Sequence, residues 1–179
     1  MGLAAQGHRD AFEELVRRHA DRLYAVVLRL TGDPGEAEEV VQEAFLRAWR
    51  GIERFERRSQ FSTWLYRIGL NEARRAAGRR PAERVLPADD AALARFPDMR
   101  EAPESRAEQR ALRLALERAV RALPEAYRAP LILRDVEGLS TGQAAEIMDL
   151  GEAAFKSRLH RARLAVRNAI EDQLGGQER

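Results

Sequence analysis

Residues 139–167 read LSTGQAAEIMDLGEAAFKSRLHRARLAVR, and this stretch decides the fold. Ser140 followed three residues later by Gln143 is a capping box, which opens a helix by satisfying its first unpaired backbone donors. Ala144, Ala145, Ile147 and Met148 give that short helix an apolar face. Asp149-Leu150-Gly151 is a tight turn. In the helix that follows, from about Glu152 to Asp172, Phe155, Leu159, Ala162, Val166 and Ile170 recur at spacings of four, three, four and four. That is the repeat of a buried helical face. Lys156, His160, Arg163 and Arg167 form a basic stripe beside it. A short capped helix, a turn and a basic second helix make the helix-turn-helix plan, in which the second helix enters the major groove of DNA.

The residue types along the second helix divide by role. Ala153 and Ala154 in its first turn are small enough to let the backbone approach the groove. Lys156, Ser157 and Arg158 can meet base edges or phosphates. Arg161, Arg163 and Arg167 are placed for backbone phosphates, which supply affinity and salt dependence but no sequence choice. On charge alone a solvated basic face is the commoner reading of such a helix. The capping box, the turn and the packing stripe together favour DNA.

Working outward, a second bundle begins near Ala107. Leu112, Leu116, Ala119, Val120 and Leu123 form one stripe, and Pro124 opens a helix containing Tyr127, Leu131 and Ile132. Pro130 lies inside that helix and is expected to strain or kink it, because it removes a backbone donor. Glu137-Gly138 ends it. At the other end of the chain a helix is predicted from about Asp10 to Leu30, with Phe12, Leu15, Val16, His19, Leu23, Val26, Val27 and Leu30 at helical spacing. Gly32 reads as its C-cap, Asp33 as the next N-cap and Pro34 as the next first helical position. The second helix carries Ala37, Val40, Val41, Ala44, Phe45, Ala48 and Trp49 on one face. Gly51-Ile52 breaks it, and a loop with Phe55, Arg57, Arg58 and Ser59 follows. A third helix, about Gln60 to Arg75, is expected to bury Phe61, Trp64, Leu65 and Ile68.

Between Ala76 and Ser105 periodicity is lost, and Pro81, Pro87, Pro97 and Pro103 punctuate the chain. Such a stretch is unusual inside one domain and reads as a linker. The expected architecture is all-α: two small helical bundles joined by a flexible linker, the C-terminal one containing the helix-turn-helix. The expected units are 1–77, the linker 78–105 and 106–179. There is no internal repeat and no strand-like alternation.

Composition narrows the function classes. The 179 residues are 45% hydrophobic and 34% charged, with aromatics at 6%, which fits helical packing on Leu, Val and Ala. Cysteine is absent, so disulfides and thiolate metal sites are excluded and a reducing cytosol is the default compartment. His8, His19 and His160 are far apart, and neither a metal nor a cofactor is expected. No apolar run reaches the roughly 20 residues of a membrane helix, and no signal peptide is expected at the N-terminus. No nucleophile-and-base set, supported carboxylate pair or phosphate-cradling glycine loop is present, so an enzyme is not expected.

The net charge of +2 says little, but its distribution is informative. From Asp33 to Leu46 the charged residues are Asp33, Glu36, Glu38, Glu39 and Glu43, all acidic. From Arg67 to Arg80 there are arginines at 67, 74, 75, 79 and 80 against Glu72. One acidic and two basic segments imply two kinds of partner. The acidic face of Glu36, Glu39, Gln42 and Glu43 suits a basic helical surface on a protein, although a single acidic helix is more often simply solvated. The 55–59 loop and the Arg67–Arg75 face suit single-stranded DNA. Phe61 and Trp64 are at core spacing, so stacking by Trp64 is not expected. Arginine supplies every base except Lys156, which reads as coding bias.

Two motif blocks carry a resemblance. LPEAYRAPLILRDVEGLS at 123–140 with FKSRLHRARL at 155–164 resembles region four of the extracytoplasmic-function sigma factors. EAEEVVQEAFLRAW at 36–49, with FSTWLYRI at 61–68 and Asn71, resembles region two of the same family. The resemblance covers nearly the whole chain outside the linker. It implies a specificity subunit of bacterial RNA polymerase, without the middle domain of larger members. Region two would bind the clamp helices of the largest subunit through Glu36, Glu39, Gln42 and Glu43. It would also melt the minus-ten element, with Arg57, Arg58, Ser59, Arg67, Asn71, Arg74 and Arg75 on the DNA. Region four would bind the minus-thirty-five element and the polymerase flap. An anti-sigma factor is a further implied partner, the chain acting as a monomer within holoenzyme, with no membrane insertion. The sequence departs from the family where Ala153-Ala154 replace the frequent Gly-Thr, and where Arg75 stands at a frequently acidic position.

Two other classes compete. A conventional dimeric helix-turn-helix regulator would need an effector or dimer domain, which the acidic second and basic third helices fit poorly. A sigma mimic that only titrates an anti-sigma factor would usually lose the DNA-reading bases, whereas Lys156, Arg158 and Arg161 remain.

Overall fold

The computed structural model describes residues 8–55, 59–78 and 103–175. Three helices form the N-terminal bundle: α1 (Arg9–Thr31), α2 (Pro34–Gly51) and α3 (Phe61–Gly78), each packed on the other two. The α1–α2 corner follows its cap chemistry. Gly32 adopts φ 74°, the left-handed geometry that a C-cap glycine takes without a Cβ clash, and its N–H bonds the Leu28 carbonyl. The Asp33 carboxylate then accepts from the Glu36 N–H at 2.8 Å. A 3-10 turn, Ile52–Arg54, ends α2. Leu23, Val27, Ile52 and Leu65 are fully buried between the helices. At Gly69 of α3 an added Cβ would lie 2.8 Å from Leu23 Cδ1, so a glycine permits the close approach of α3 to α1.

The C-terminal bundle comprises α4 (Pro103–Ala122), α5 (Glu125–Leu131), α6 (Thr141–Met148) and α7 (Glu152–Gly175). Helix α7 packs on α4, α5 and α6 around Phe155, which is fully buried. The expected disturbance at Pro130 is present. Pro130 cannot donate to the Ala126 carbonyl, and the chain widens from α5 into a π turn over Ile132–Val136, closed by Glu137 N–H to the Ile132 carbonyl at 2.9 Å. Gly138, at φ 68°, stops it.

Three expectations change. Helix α4 starts at Pro103, so the last residues of the expected linker are helical, with proline at a helix start where its missing N–H costs nothing. Of the predicted stripe, Ala119 and Leu123 are buried, but Leu112 and Leu116 are exposed at 46% and 43%, and Ala115 takes the inward position in their place. Trp49, assigned to the buried face of α2, is 37% exposed although its ring sits 5.0 Å from Phe12. Linker residues 79–102 lie outside the described residues.

The two bundles are packed against each other. Helix α3 lies on α6, α1 touches α5 and the π turn, and buried residues of both bundles belong to one continuous core. Among the described residues no helix is long and apolar enough to cross a membrane.

Candidate nucleic-acid and polymerase interfaces

The helix-turn-helix is built as its sequence dictates. Gln143 N–H donates to Ser140 Oγ at 3.2 Å, and Ser140 N–H donates to Gln143 Oε1 at 3.0 Å. Asp149 takes a left-handed φ of 56°, and the Leu150 N–H bonds the Ala145 carbonyl at 3.0 Å, turning the chain into α7. Phe155, Leu159, Ala162 and Val166 face inward. Their burial leaves Ala153, Ala154, Lys156, Ser157, Arg161, Arg163 and Arg167 exposed, with Arg158 half-buried. All eight predicted residues thus lie on α7. Lys156 Nζ holds Glu152 at 3.0 Å. Arg163 grips Asp135 with two hydrogen bonds, at 2.9 and 2.6 Å, and this partner raises its pKa.

On α3, Arg67, Asn71 and Arg75 are exposed and Arg74 is half-buried, on one side of the helix; Ser59 is half-buried just before it. Arg57 and Arg58 lie outside the described residues. The three described arginines all hold carboxylates. Arg67 Nη2 is 3.1 Å from Asp149, Arg74 Nε is 3.1 Å from Glu125, and Arg75 pairs with Glu72. Glu72 is buried and also takes Arg47 at 2.8 Å. That arrangement accommodates an arginine at position 75. Phe55, Phe61 and Trp64 form an aromatic cluster with centroids 5.0 to 6.2 Å apart. His19 caps it, and burial lowers the His19 pKa. Trp64 is half-buried within that cluster.

On α2, Glu39 and Gln42 are exposed, while Glu36 and Glu43 are half-buried; Glu43 pairs with Arg47 at 2.8 Å. Sequence reasoning missed that the same face continues into exposed Leu46 and Trp49. The clue was there, since Gln42, Leu46 and Trp49 follow Glu39 at spacings of three, four and three. It also missed an apolar groove of about 490 Å³ in the C-terminal bundle, lined by Leu116, Val120, Ile132, Val136, Val166 and Ile170 and bordered by Arg29, Arg121 and Arg163. Counting Leu116 as core concealed it. Among the described residues no cluster of His, Cys, Asp and Glu could hold a metal ion.

Between the bundles lies a set of polar contacts. The Glu137 side chain is 8% exposed and accepts from Arg22 Nε at 2.9 Å, with Arg29 Nη1 3.7 Å away. Arg22 Nη2 also donates to the Glu137 carbonyl at 3.0 Å. Burial, reinforced by the Glu137 charge, pushes the Tyr66 phenol up to about 12. Arg128 Nη1 donates to the Leu30 carbonyl at 2.7 Å, and burial lowers the Arg128 pKa.

Comparison with known proteins agrees with this architecture. The Sigma-70 region 2 family model matches residues 15–81, and the Sigma-70 region 4 model matches residues 113–166. The RNA polymerase sigma-H factor of Pseudomonas aeruginosa is 34% identical, over 94% of this chain and 91% of that protein. The sigma-E factor of Escherichia coli is 35% identical over 93% of this chain and 90% of its own length. The SigW factor of Bacillus subtilis is 30% identical, covering 93% and 92%. CnrH, solved with the cytosolic domain of CnrY, superposes with a TM-score of 0.68 at 25% identity, covering 96% of this chain and 94% of that one. The sigma factor RpoE of Bartonella quintana, solved with the anti-sigma factor NepR, shares the fold with a TM-score of 0.66 at 23% identity, covering 90% and 97%. The chain belongs to the extracytoplasmic-function sigma factors, a family of transcription initiation factors.

Proposed function

We propose that this chain is an alternative sigma factor that binds core RNA polymerase and directs promoter-specific initiation, dividing the work between residues 1–77 and 106–179. The observation that carries the reading is α7. Phe155 anchors it in the core, and that anchoring turns Ala153, Ala154, Lys156, Ser157 and Arg161 outward at the start of the second helix of a helix-turn-helix. Lys156 and Ser157, with Arg158 beside them, read the minus-thirty-five element, Ala153 and Ala154 admit the close approach, and Arg161, Arg163 and Arg167 lie on its phosphates. The α3 face, with Ser59, Arg67, Asn71, Arg74 and Arg75, takes the minus-ten strand together with Arg57 and Arg58.

The α2 face of Glu36, Glu39, Gln42 and Glu43 docks on the polymerase clamp helices, its acidic part steering and its Leu46–Trp49 part burying apolar surface. The C-terminal groove, apolar within and basic at its border, suits the flap. Melting is driven by binding energy, so the chain is not an enzyme and works in the cytoplasm as one subunit of holoenzyme. An anti-sigma factor is its further protein partner; CnrH is solved with one protein partner, the cytosolic domain of CnrY. Run-off transcription with purified core polymerase tests the reading. Core-dependent transcripts from a promoter template are expected. DNA binding as a dimer, with no core-dependent initiation, would overturn it.

A further inference from the structure

Glu72 of α3 is the most deeply buried carboxylate among the described residues, at 5% exposure. A carboxylate taken out of water needs cations beside it, because an unpaired buried charge is strongly unfavourable. Two guanidiniums meet that need. Arg47 Nε of α2 stands 2.8 Å from Glu72 Oε1, and Arg75 Nη1, one turn along α3, donates to the same oxygen. Arg47 Nε is also 2.8 Å from Glu43 Oε1. A line of ion pairs thus runs from Glu43 on the docking face of α2, through Arg47 and Glu72, to Arg75 on the minus-ten face of α3.

Burial separates what is fixed in this line from what is presented. The Arg47 and Arg75 side chains are 43% and 55% exposed, whereas Glu72 is nearly closed off. Glu72 therefore acts on its neighbours and not on DNA directly. Arginine carries several N–H donors in a rigid fork, so one edge can hold Glu72 while the rest faces a phosphate. A long surface side chain otherwise samples many rotamers, and ordering it opposes binding. At Arg75 that ordering is present before DNA arrives. Arg67 and Arg74 differ, because their partners Asp149 and Glu125 are 82% and 41% exposed. Water can replace an arginine at those carboxylates, so the pairs exchange readily. Glu72 has no such substitute.

The charge balance lets this carboxylate stay close to DNA. A lone acid beside a phosphate repels it. Two guanidiniums on one oxygen leave the trio net positive, so the site still attracts the strand. Arg47 belongs to the arrangement for that reason, although it lies on α2.

We propose that Glu72 is a positioning residue for promoter recognition: anchored by Arg47 of α2, it holds the Arg75 guanidinium in place for a phosphate of the minus-ten strand. This role rests on the reading of α3 as the minus-ten face.

Holoenzyme assembled with saturating amounts of each variant provides the test, with fluorescence anisotropy of a single-stranded minus-ten oligonucleotide as the readout. Positioning and simple electrostatics predict opposite signs. Glu72→Gln removes a negative charge near the strand, and on charge alone affinity would rise. Loss of the hold on Arg75 should instead lower affinity about fivefold, which is within the coupling seen between residues in contact. Glu72→Asp keeps the carboxylate and should retain most of the affinity. In an Arg75→Ala background, Glu72→Gln should change affinity by less than about twofold, because nothing is left to position. Circular dichroism of each variant should remain helical.

An unchanged or raised affinity in Glu72→Gln overturns the positioning role. An equal loss in both backgrounds also overturns it, since Glu72 would then serve only the packing of α3. Arg67→Ala separates this role from the reading beneath it. If Arg67→Ala weakens binding and Arg75→Ala does not, α3 still faces DNA but the role of Glu72 falls. If neither weakens binding, the assignment of α3 to the minus-ten strand fails and the role of Glu72 fails with it.

Discussion

Arg163 holds Asp135 through two hydrogen bonds while its side chain remains half in water. An exposed pair contributes about 0–1 kcal/mol, so it opens readily when a phosphate competes. Replacement by alanine should therefore weaken binding to every promoter sequence about equally and lower the slope of log affinity against log salt by about one. Lys156→Ala and Arg158→Ala sit nearer the start of α7 and should in addition change the minus-thirty-five preference. Binding titrations on base-substituted sites at several salt concentrations separate the two behaviours, and equal losses on every sequence from all three would remove the base-reading role. Tyr66 makes a second prediction at this scale. Its folded pKa, about 12, lies above the ordinary value of 10.0. The folded state keeps the proton longer than the unfolded one, so the contribution is complete below about pH 10 and is lost as pH rises toward 12. Urea unfolding across this window should show stability falling, and Tyr66→Phe should reduce the fall. A slope unaltered by that substitution would exclude Tyr66 as its source.

At the scale of elements, docking by α2 rests on a mixed face. Charge reversal in Glu39→Arg with Glu43→Arg should reduce affinity for core polymerase, chiefly through slower association, while Leu46→Asp should act through faster dissociation. Surface-plasmon kinetics on immobilised core would read both, and unchanged constants in all variants would exclude this face. The helices themselves were legible because their ends carry local chemistry. Asp33, Gly32 and Ser140 with Gln143 each satisfy groups within a few residues, Gly138 supplies the left-handed φ at the end of its turn, and Pro130 marks its own disturbance. Which apolar residues stay wet was not legible. A broad apolar arc on α4 leaves two helical phases open, and only the neighbours present in three dimensions choose Ala115 over Leu112 and Leu116. The candidate DNA residues on α7 were legible for the same local reason, since a strict Phe155–Val166 core line determines what points outward. The pairing of Arg67 with Asp149, 82 positions later, leaves no local mark.

For the whole molecule, a core that runs through both bundles predicts cooperative behaviour. Calorimetry of the free chain should give a single unfolding transition, since domains that share buried surface do not melt independently. Glu137→Lys should split that transition in two, and two transitions in the wild-type chain would contradict a shared core. The same feature bears on how mutations in this chain would sort genetically. Selection for loss of function should recover, besides changes on DNA and polymerase surfaces, substitutions that disrupt the shared core. Pairs of changes that face each other across the two bundles should compensate one another in stability. Inheritance would then trace the seam of a molecule whose two halves begin at Arg9 and Pro103 and share one core.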